Sequence, residues 1–306
     1  MLTKRLGKTE LDISALSYGA SPLGGTFGPT DKAEGERAVH AAIDAGINYF
    51  DVAPLYGDTL AEERLGEALR GRRDQVIVAT KFGHYAGQPA FDFGAKRARS
   101  SLEGSLRRLQ TDHVDVFQAH DMDRADPRQI IEETLPAMRQ LQQEGKCRFV
   151  GITGFYPDRL LKVAEQAEVD TILSFCHYDL IDQSLADELG PFCQAHDIGL
   201  LNASPLHMRL LTIKGPPVWN KLGGEPLRAA VSKAIALCET HGTSISDLAM
   251  QFALQCPYAA TTLVGMSKER HLIRNTTQMG VQPDEELLNE VLGLFSKASY
   301  VNQRVG

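Results

Sequence analysis

Apolar residues along this chain gather in short, nearly unbroken runs rich in valine, isoleucine and leucine. Each run gives way to a longer stretch whose apolar positions recur every three or four residues. Runs of the first kind suit strands covered on both faces, and the second pattern suits helices laid against them. Eight strands are predicted, at 15–20 (ALSYGA), 47–53 (INYFDVA), 75–82 (QVIVATKF), 114–120 (VDVFQAH), 148–154 (RFVGITG), 171–178 (TILSFCHY), 198–206 (IGLLNASPL) and 260–266 (ATTLVGM). Strands that alternate with helices form a parallel sheet. Eight such units in 306 residues have the size and rhythm of a closed (β/α)8 TIM barrel of the α/β class, with a doubly wound open sheet as the alternative. The segment KRLGKTELDIS ahead of the first barrel strand reads as a β-hairpin turning near Gly7 to Thr9.

Helix signals agree with this register. Asp31 with Glu34, and Thr59 with Glu62, have the spacing of capping boxes, in which each side chain satisfies an otherwise unpaired backbone N–H. Gly46, Gly71 and Gly145 fall where three helices should end. Val39, Ala42 and Ile43, then Leu102, Leu106 and Leu109, repeat at helical spacing and are expected to face the sheet. Pro136 falls inside a helical pattern, which predicts a kink. No repeat or composition shift marks a boundary, so residues 1–306 are expected to form one domain. The least patterned piece, 207–226 (HMRLLTIKGPPVWNKLGGEP), is expected to be a functional loop over the barrel mouth.

Charge and composition narrow the function classes. A formal charge of −7 and a pI near 5.7 argue against a nucleic-acid partner, which needs a clustered positive surface. Five cysteines (Cys147, Cys176, Cys193, Cys238 and Cys256) include no C-x-x-C pair, which reads as buried, reduced thiols in a cytosolic protein. The opening MLTKRLGKTELDIS has no apolar core, and no stretch approaches the roughly 18 apolar residues of a membrane span. A cytoplasmic monomer or small homo-oligomer with no membrane partner is expected. The nine histidines show no H-E-x-x-H and no paired-ligand spacing, so no metal site is predicted.

In a barrel of this kind, the C-terminal ends of the strands converge on the face where chemistry is done. The second strand delivers Asp51 and then Tyr56, the third Lys81, and the fourth His120 followed by Asp121. Taken singly, a lysine emerging into solvent or a histidine bonded within the core explains each as well. Four at equivalent strand ends meet in one pocket if the barrel closes. A phenol of ordinary pKa near 10 exchanges protons poorly at neutral pH, and a cation within about 4–6 Å favours the phenolate by roughly 1–3 units. Lys81 is expected to supply that cation, Asp51 to hold it, and His120 to fix a substrate oxygen. Such a set contains a tuned proton donor and acceptor and no nucleophile, which suits carbonyl reduction or alcohol oxidation with the hydride carried by a cofactor.

The motifs DVAPLYG, ATKFG, QAHD at 118–121 and GITGF at 151–155 resemble the aldo-keto reductase superfamily over nearly the whole chain. The resemblance implies a catalytic tetrad of Asp51, Tyr56, Lys81 and His120. It also implies an extended nicotinamide cofactor across the C-terminal barrel face, and no Rossmann G-x-G-x-x-G follows a strand here. By resemblance the cofactor is expected on Ala20, Ser21, Asp51, Thr153, Gly154, Phe175, Ser204, Leu206 and Met208. Its adenosine end is expected on Gly265, Met266, Ser267, His271, Arg274 and Asn275. Gly154, Ala203 and Phe175 depart from the general family pattern, where an asparagine, an aromatic residue and a glutamine are usual. Gly265 and His271 replace the usual lysine and arginine for a 2′-phosphate, which favours NAD, with NADP the second choice because Lys268 and Arg274 lie close by.

Narrower motifs, GASPLGG (19–25), FDVAPLYGDTLAEERLG (50–66), FCHYDL (175–180), NASPLHMRLL (202–211) and GPPVW (215–219), resemble the family's sugar dehydrogenases. That resemblance implies oxidation of C1 of an aldohexose, L-galactose, to its lactone, with Tyr56 and His120 meeting the substrate. Phe82, His84, Tyr85 and Trp219 lie on loops expected to shape the sugar pocket. L-fucose, other aldoses or pyridoxal as substrate, and a channel-regulatory subunit of the same fold, are the alternatives.

Overall fold

The computed structural model describes residues 1–215 and 224–297. Two short antiparallel strands, β1 (Thr3–Arg5) and β2 (Asp12–Ser14), form the N-terminal hairpin, joined through a 3-10 turn at Gly7–Thr9. Eight parallel strands follow: β3 (Leu16–Gly19), β4 (Tyr49–Asp51), β5 (Ile77–Phe82), β6 (Val114–Ala119), β7 (Cys147–Gly154), β8 (Thr171–Phe175), β9 (Gly199–Ala203) and β10 (Thr261–Gly265). Each pairs with the next, and β10 pairs back onto β3, so the sheet closes into a barrel as the strand-helix rhythm predicts. The open-sheet alternative is excluded by that last pairing.

The helices are α1 (Lys32–Asp44), α2 (Leu60–Ala68), α3 (Ala95–Leu109), α4 (Pro127–Gln129), α5 (Leu135–Gln143), α6 (Pro157–Ala164), α7 (Leu189–Ala195), α8 (Gly224–Thr240), α9 (Ile245–Leu254), α10 (Glu269–Thr277) and α11 (Glu285–Lys297). Asp31 caps α1 by accepting the Glu34 N–H at 2.9 Å. The second capping box does not form. Thr59 takes a left-handed backbone, and its hydroxyl meets Glu63 rather than an N–H. Glu62 instead lies fully buried on the face of α2 that meets β5 and α3, accepting from Thr80 Oγ1 at 2.6 Å and Arg108 Nε at 2.7 Å. A carboxylate that ties three elements together outweighs one cap.

Gly46, Gly71 and Gly145 take left-handed φ values of +86°, +73° and +76° at helix ends, as expected. Val39, Ala42, Leu102 and Leu109 are buried against the sheet, with Ile43 and Leu106 at its margin. Pro136 removes an N–H and crowds the turn before it, and the chain responds with a π-turn at Ile130–Thr134 that places the proline in the first turn of α5.

Along each strand side chains alternate between the barrel interior and the helical layer. Tyr49, Ala79, Val116, Leu173, Leu201 and Leu263 fill the interior, with Leu6, Leu11 and Ile13 of the hairpin segment packed against them. Phe50, Val78, Phe117, Val150, Ile152 and Leu200 pack outward under the helices. Lys8 N–H bonds the Asp197 carbonyl at 2.6 Å, just ahead of β9, so the hairpin closes the N-terminal end of the barrel. The opposite end stays open. All five cysteines are buried free thiols. Among the described residues no helix is long and apolar enough to cross a membrane.

Candidate active site

Strand alternation decides which side chains reach the open end. On β5, Ala79 and Lys81 face inward while Val78, Thr80 and Phe82 face the helices. On β6, Val116 and Gln118 face inward, and His120 continues that face one step past the strand. Asp51 ends β4, and the turn after it brings Tyr56 back over the barrel. Two glycines make that turn fit: Gly57 has φ +65°, and a Cβ on it would stand 2.2 Å from the Gly24 carbonyl oxygen.

Lys81 is 1% exposed and Asp51 2%, and the two form a short charge-assisted hydrogen bond between Nζ and Oδ1. The same Nζ donates to the Val52 carbonyl at 3.0 Å and to the Tyr56 phenolic oxygen at 3.3 Å. Gln118 Nε2 donates to the other Asp51 oxygen at 3.1 Å. His120 stands edge-on to Tyr56, ring centroids 5.7 Å apart. Burial works to lower the Lys81 ammonium, but Asp51 and Tyr56 outweigh it and hold Lys81 above its ordinary value. Burial, with Lys81 and His84 adding to it against Asp121, drops His120 to about 3, so its imidazole is neutral across the physiological range.

Tyr56 corrects an expectation. Burial pushes its phenol up to about 12, with Asp51 and Asp121 adding to the rise, and the nearby Lys81 recovers only part of it. The cation is where the sequence puts it, but in the free protein desolvation outweighs it.

Beside this group, His84 Nδ1 meets Asp121 Oδ2 at 2.7 Å, and Thr153 Oγ1 accepts the Asp121 N–H at 3.1 Å. Burial works to raise Asp121, and His120 and His84 outweigh it and hold its carboxyl below the usual range.

These residues form the floor of a 1110 Å³ cleft. Of the positions expected to hold a cofactor, Ser21, Asp51, Thr153, Phe175, Ser204, Leu206, Met208, Gly265, Ser267, His271, Arg274 and Asn275 line it. Ala20 and Met266 do not: both are fully buried and meet the strand ends through backbone bonds, Ala20 N–H to Asp51 and Met266 N–H to Gly19. Gly154 also lies off the cleft, with Asp123 Oδ1 3.1 Å from where its Cβ would stand.

Tyr56, His84 and His120 line the cleft, but Phe82 does not, because alternation turns it outward to stack with Phe117 and meet Phe93 edge-on, fully buried. Tyr85 packs under Arg97 instead of reaching the cleft. Trp219 lies outside the described residues, and of the expected loop over the mouth Met208, Arg209 and Thr212 to Lys214 line the cleft.

Gln118 went unassigned as a single residue, although its position two before His120 puts it on the same face.

The wall at 204–209 is strained: Ser204, His207, Met208 and Arg209 all have left-handed backbones. A fully buried bond between His207 Nδ1 and Asp179 Oδ2, 2.7 Å long, anchors it, and Arg209 reaches across the cleft to the Phe27 carbonyl at 3.0 Å. The donor set fits a dinucleotide. Lys214, Lys268, Arg270 and Arg274 line the same cleft, and exposed Gly265 offers bare backbone, since a Cβ there would meet Pro22 at 3.0 Å. Two of those cations are already engaged, Arg274 bidentate on Asp247 at 2.7 and 3.0 Å and Lys268 on Glu34 at 2.7 Å.

A barrel with a buried lysine joining an acid to a phenol is an oxidoreductase architecture, and the family follows from comparison. Residues 15–292 match the family model described as "Aldo/keto reductase family", and the chain belongs to that family. Its members use nicotinamide cofactors. The L-galactose dehydrogenase of Arabidopsis thaliana is 42% identical over 298 residues, covering 94% of this chain and 92% of that protein. A D-threo-aldose 1-dehydrogenase from a Pseudomonas species is 30% identical, covering 87% of this chain and 89% of its own. Among solved structures, the holo form of aldo-keto reductase AKR11C1 from Bacillus halodurans superposes with a TM-score of 0.82 at 27% identity, over 99% of both chains.

Proposed function

We propose that the protein is an NAD-dependent sugar dehydrogenase that oxidises C1 of L-galactose, or of an aldose of matching stereochemistry, to the lactone. The observation that carries the reading is Lys81 Nζ bonded at once to Asp51 and, at 3.3 Å, to the Tyr56 phenol, beside a neutral His120. Similarity to the Arabidopsis dehydrogenase over 94% of the chain, and to an aldose 1-dehydrogenase besides, supports the sugar.

Bound oxidised nicotinamide supplies the hydride acceptor. His120, uncharged, donates a hydrogen bond to the C1 oxygen and sets its angle. Tyr56 accepts the C1 hydroxyl proton as the C1–H bond gives up its electron pair and the C1–O bond becomes the lactone carbonyl. Lys81 steadies the phenolate until the proton arrives, and Asp51, fixed by Gln118, keeps that ammonium charged and aimed.

A 2′-phosphate calls for a free cation. Of the two cations expected beside a 2′-phosphate, Arg274 is already neutralised by Asp247 and Lys268 by Glu34, which favours NAD. The test mixes the protein with NAD or NADP and L-galactose, L-fucose, D-arabinose or pyridoxal, following reduced nicotinamide by absorbance. Fastest turnover is expected with L-galactose and NAD; turnover of pyridoxal alone, or of none of the four, overturns the reading.

A further inference from the structure

The cleft floor holds a pair, His84 and Asp121, that the proton chemistry above does not account for. His84 follows β5 and Asp121 follows β6, 37 residues apart in sequence, yet their side chains meet at 2.7 Å. His120 stands beside them, its ring centroid 5.5 Å from that of His84. One nitrogen from each imidazole and one Asp121 oxygen all lie within 4.8 Å of one another. His120 is 5% exposed, and its Nδ1 has no hydrogen-bond partner among the described residues. All three residues line the cleft, with His84 and Asp121 partly exposed to it and His120 buried beneath them.

Two imidazoles and a carboxylate are the donors that Zn²⁺ and Cu²⁺ prefer, whereas Mg²⁺ and Ca²⁺ seek oxygen alone. Zinc bonds of about 2.0–2.2 Å in a tetrahedron place ligand atoms about 3.4 Å apart, a spacing inside the span of this trio, whose donors lie from 2.7 Å to within 4.8 Å of one another. We propose that His84, His120 and Asp121 form an inhibitory site for a zinc-type divalent cation, with the cleft leaving one position for water. Metal held there ties up the imidazole that meets the C1 oxygen, so it competes with the sugar. That competition rests on the sugar dehydrogenase reading, whereas the binding does not. A second trio, Cys176, Asp179 and His207, has similar spacing but is sealed in the interior, where Asp179 already accepts from His207 and two backbone N–H groups.

The test is calorimetric titration of ZnCl2 into metal-free, tag-free protein, with circular dichroism to confirm folding of every variant. One site per chain is expected, weakened at least tenfold in His84→Ala and again in Asp121→Asn, and untouched in His113→Ala, which removes an exposed His–Asp pair. Absence of saturable binding, unchanged affinity in both folded variants, or loss of binding only in Cys176→Ser overturns the site. In turnover assays zinc is expected to raise the apparent KM for sugar, with full recovery on adding EDTA; inhibition that ignores sugar concentration contradicts the placement. Zinc binding by a protein that oxidises no sugar sinks the proposed function and leaves the metal site standing.

Discussion

Lys81 is buried on every side and bonded to an acid, a carbonyl and a phenol, so stability depends on it and, in the proposed mechanism, so does the chemistry. Removing one partner of a buried pair strands the other charge at a cost of about 3–5 kcal/mol. Lys81→Met is therefore expected to lower the melting temperature markedly and to abolish turnover, read by thermal denaturation and assay; an unchanged melting temperature contradicts the coupling. The acid, the lysine, the phenol and the histidine were all legible, because each ends or follows an apolar run and the barrel supplies the meeting point. The phenol's pKa was not. Proximity to a cation is readable from strand order, but the desolvation that outweighs it depends on how completely the packed turn shields Tyr56. Phe82 was misassigned for a related reason, since its place beside Lys81 in sequence puts it on the opposite face of the strand.

At the level of elements, one substitution is expected to act with opposite sign in two helices. Alanine is the better helix former by about 1 kcal/mol. At Gly293 in α11 nothing lies within 4 Å of an added Cβ, so Gly293→Ala is expected to stabilise by up to about that much. At Gly66 in α2 the Cβ would stand 2.3 Å from the Arg108 carbonyl oxygen, so Gly66→Ala is expected to destabilise despite its propensity. Melting temperatures of the two variants check the pair. The failed box at Thr59 shows the same competition: spacing proposes a cap, and the buried bridge from Glu62 to Thr80 and Arg108 decides otherwise. Asp247 in α9 holds Arg274 of α10, so Asp247→Asn is expected to free that guanidinium and shift the ratio of kcat/KM toward NADP by severalfold; an unchanged ratio argues against electrostatic sequestration.

Over the whole molecule, barrel closure turns residues scattered from Gly19 to Asn275 into one cleft, and this was legible because eight equivalent strand ends must converge. The pairing of His84 with Asp121 was invisible in linear spacing, since two loops separated by a full strand-helix unit bring it about. The site as a unit dictates the pH response. With the phenol near 12 and protonated at neutrality, its basic form grows about tenfold per pH unit, so kcat/KM for oxidation is expected to climb from pH 7 to 9 without a plateau. The most direct test of the central claim is Tyr56→Phe, measured for both kcat and nicotinamide affinity. The proton-transfer role predicts a fall in kcat of about 10²- to 10⁴-fold with cofactor affinity nearly unchanged; a variant that keeps most of its turnover would contradict it.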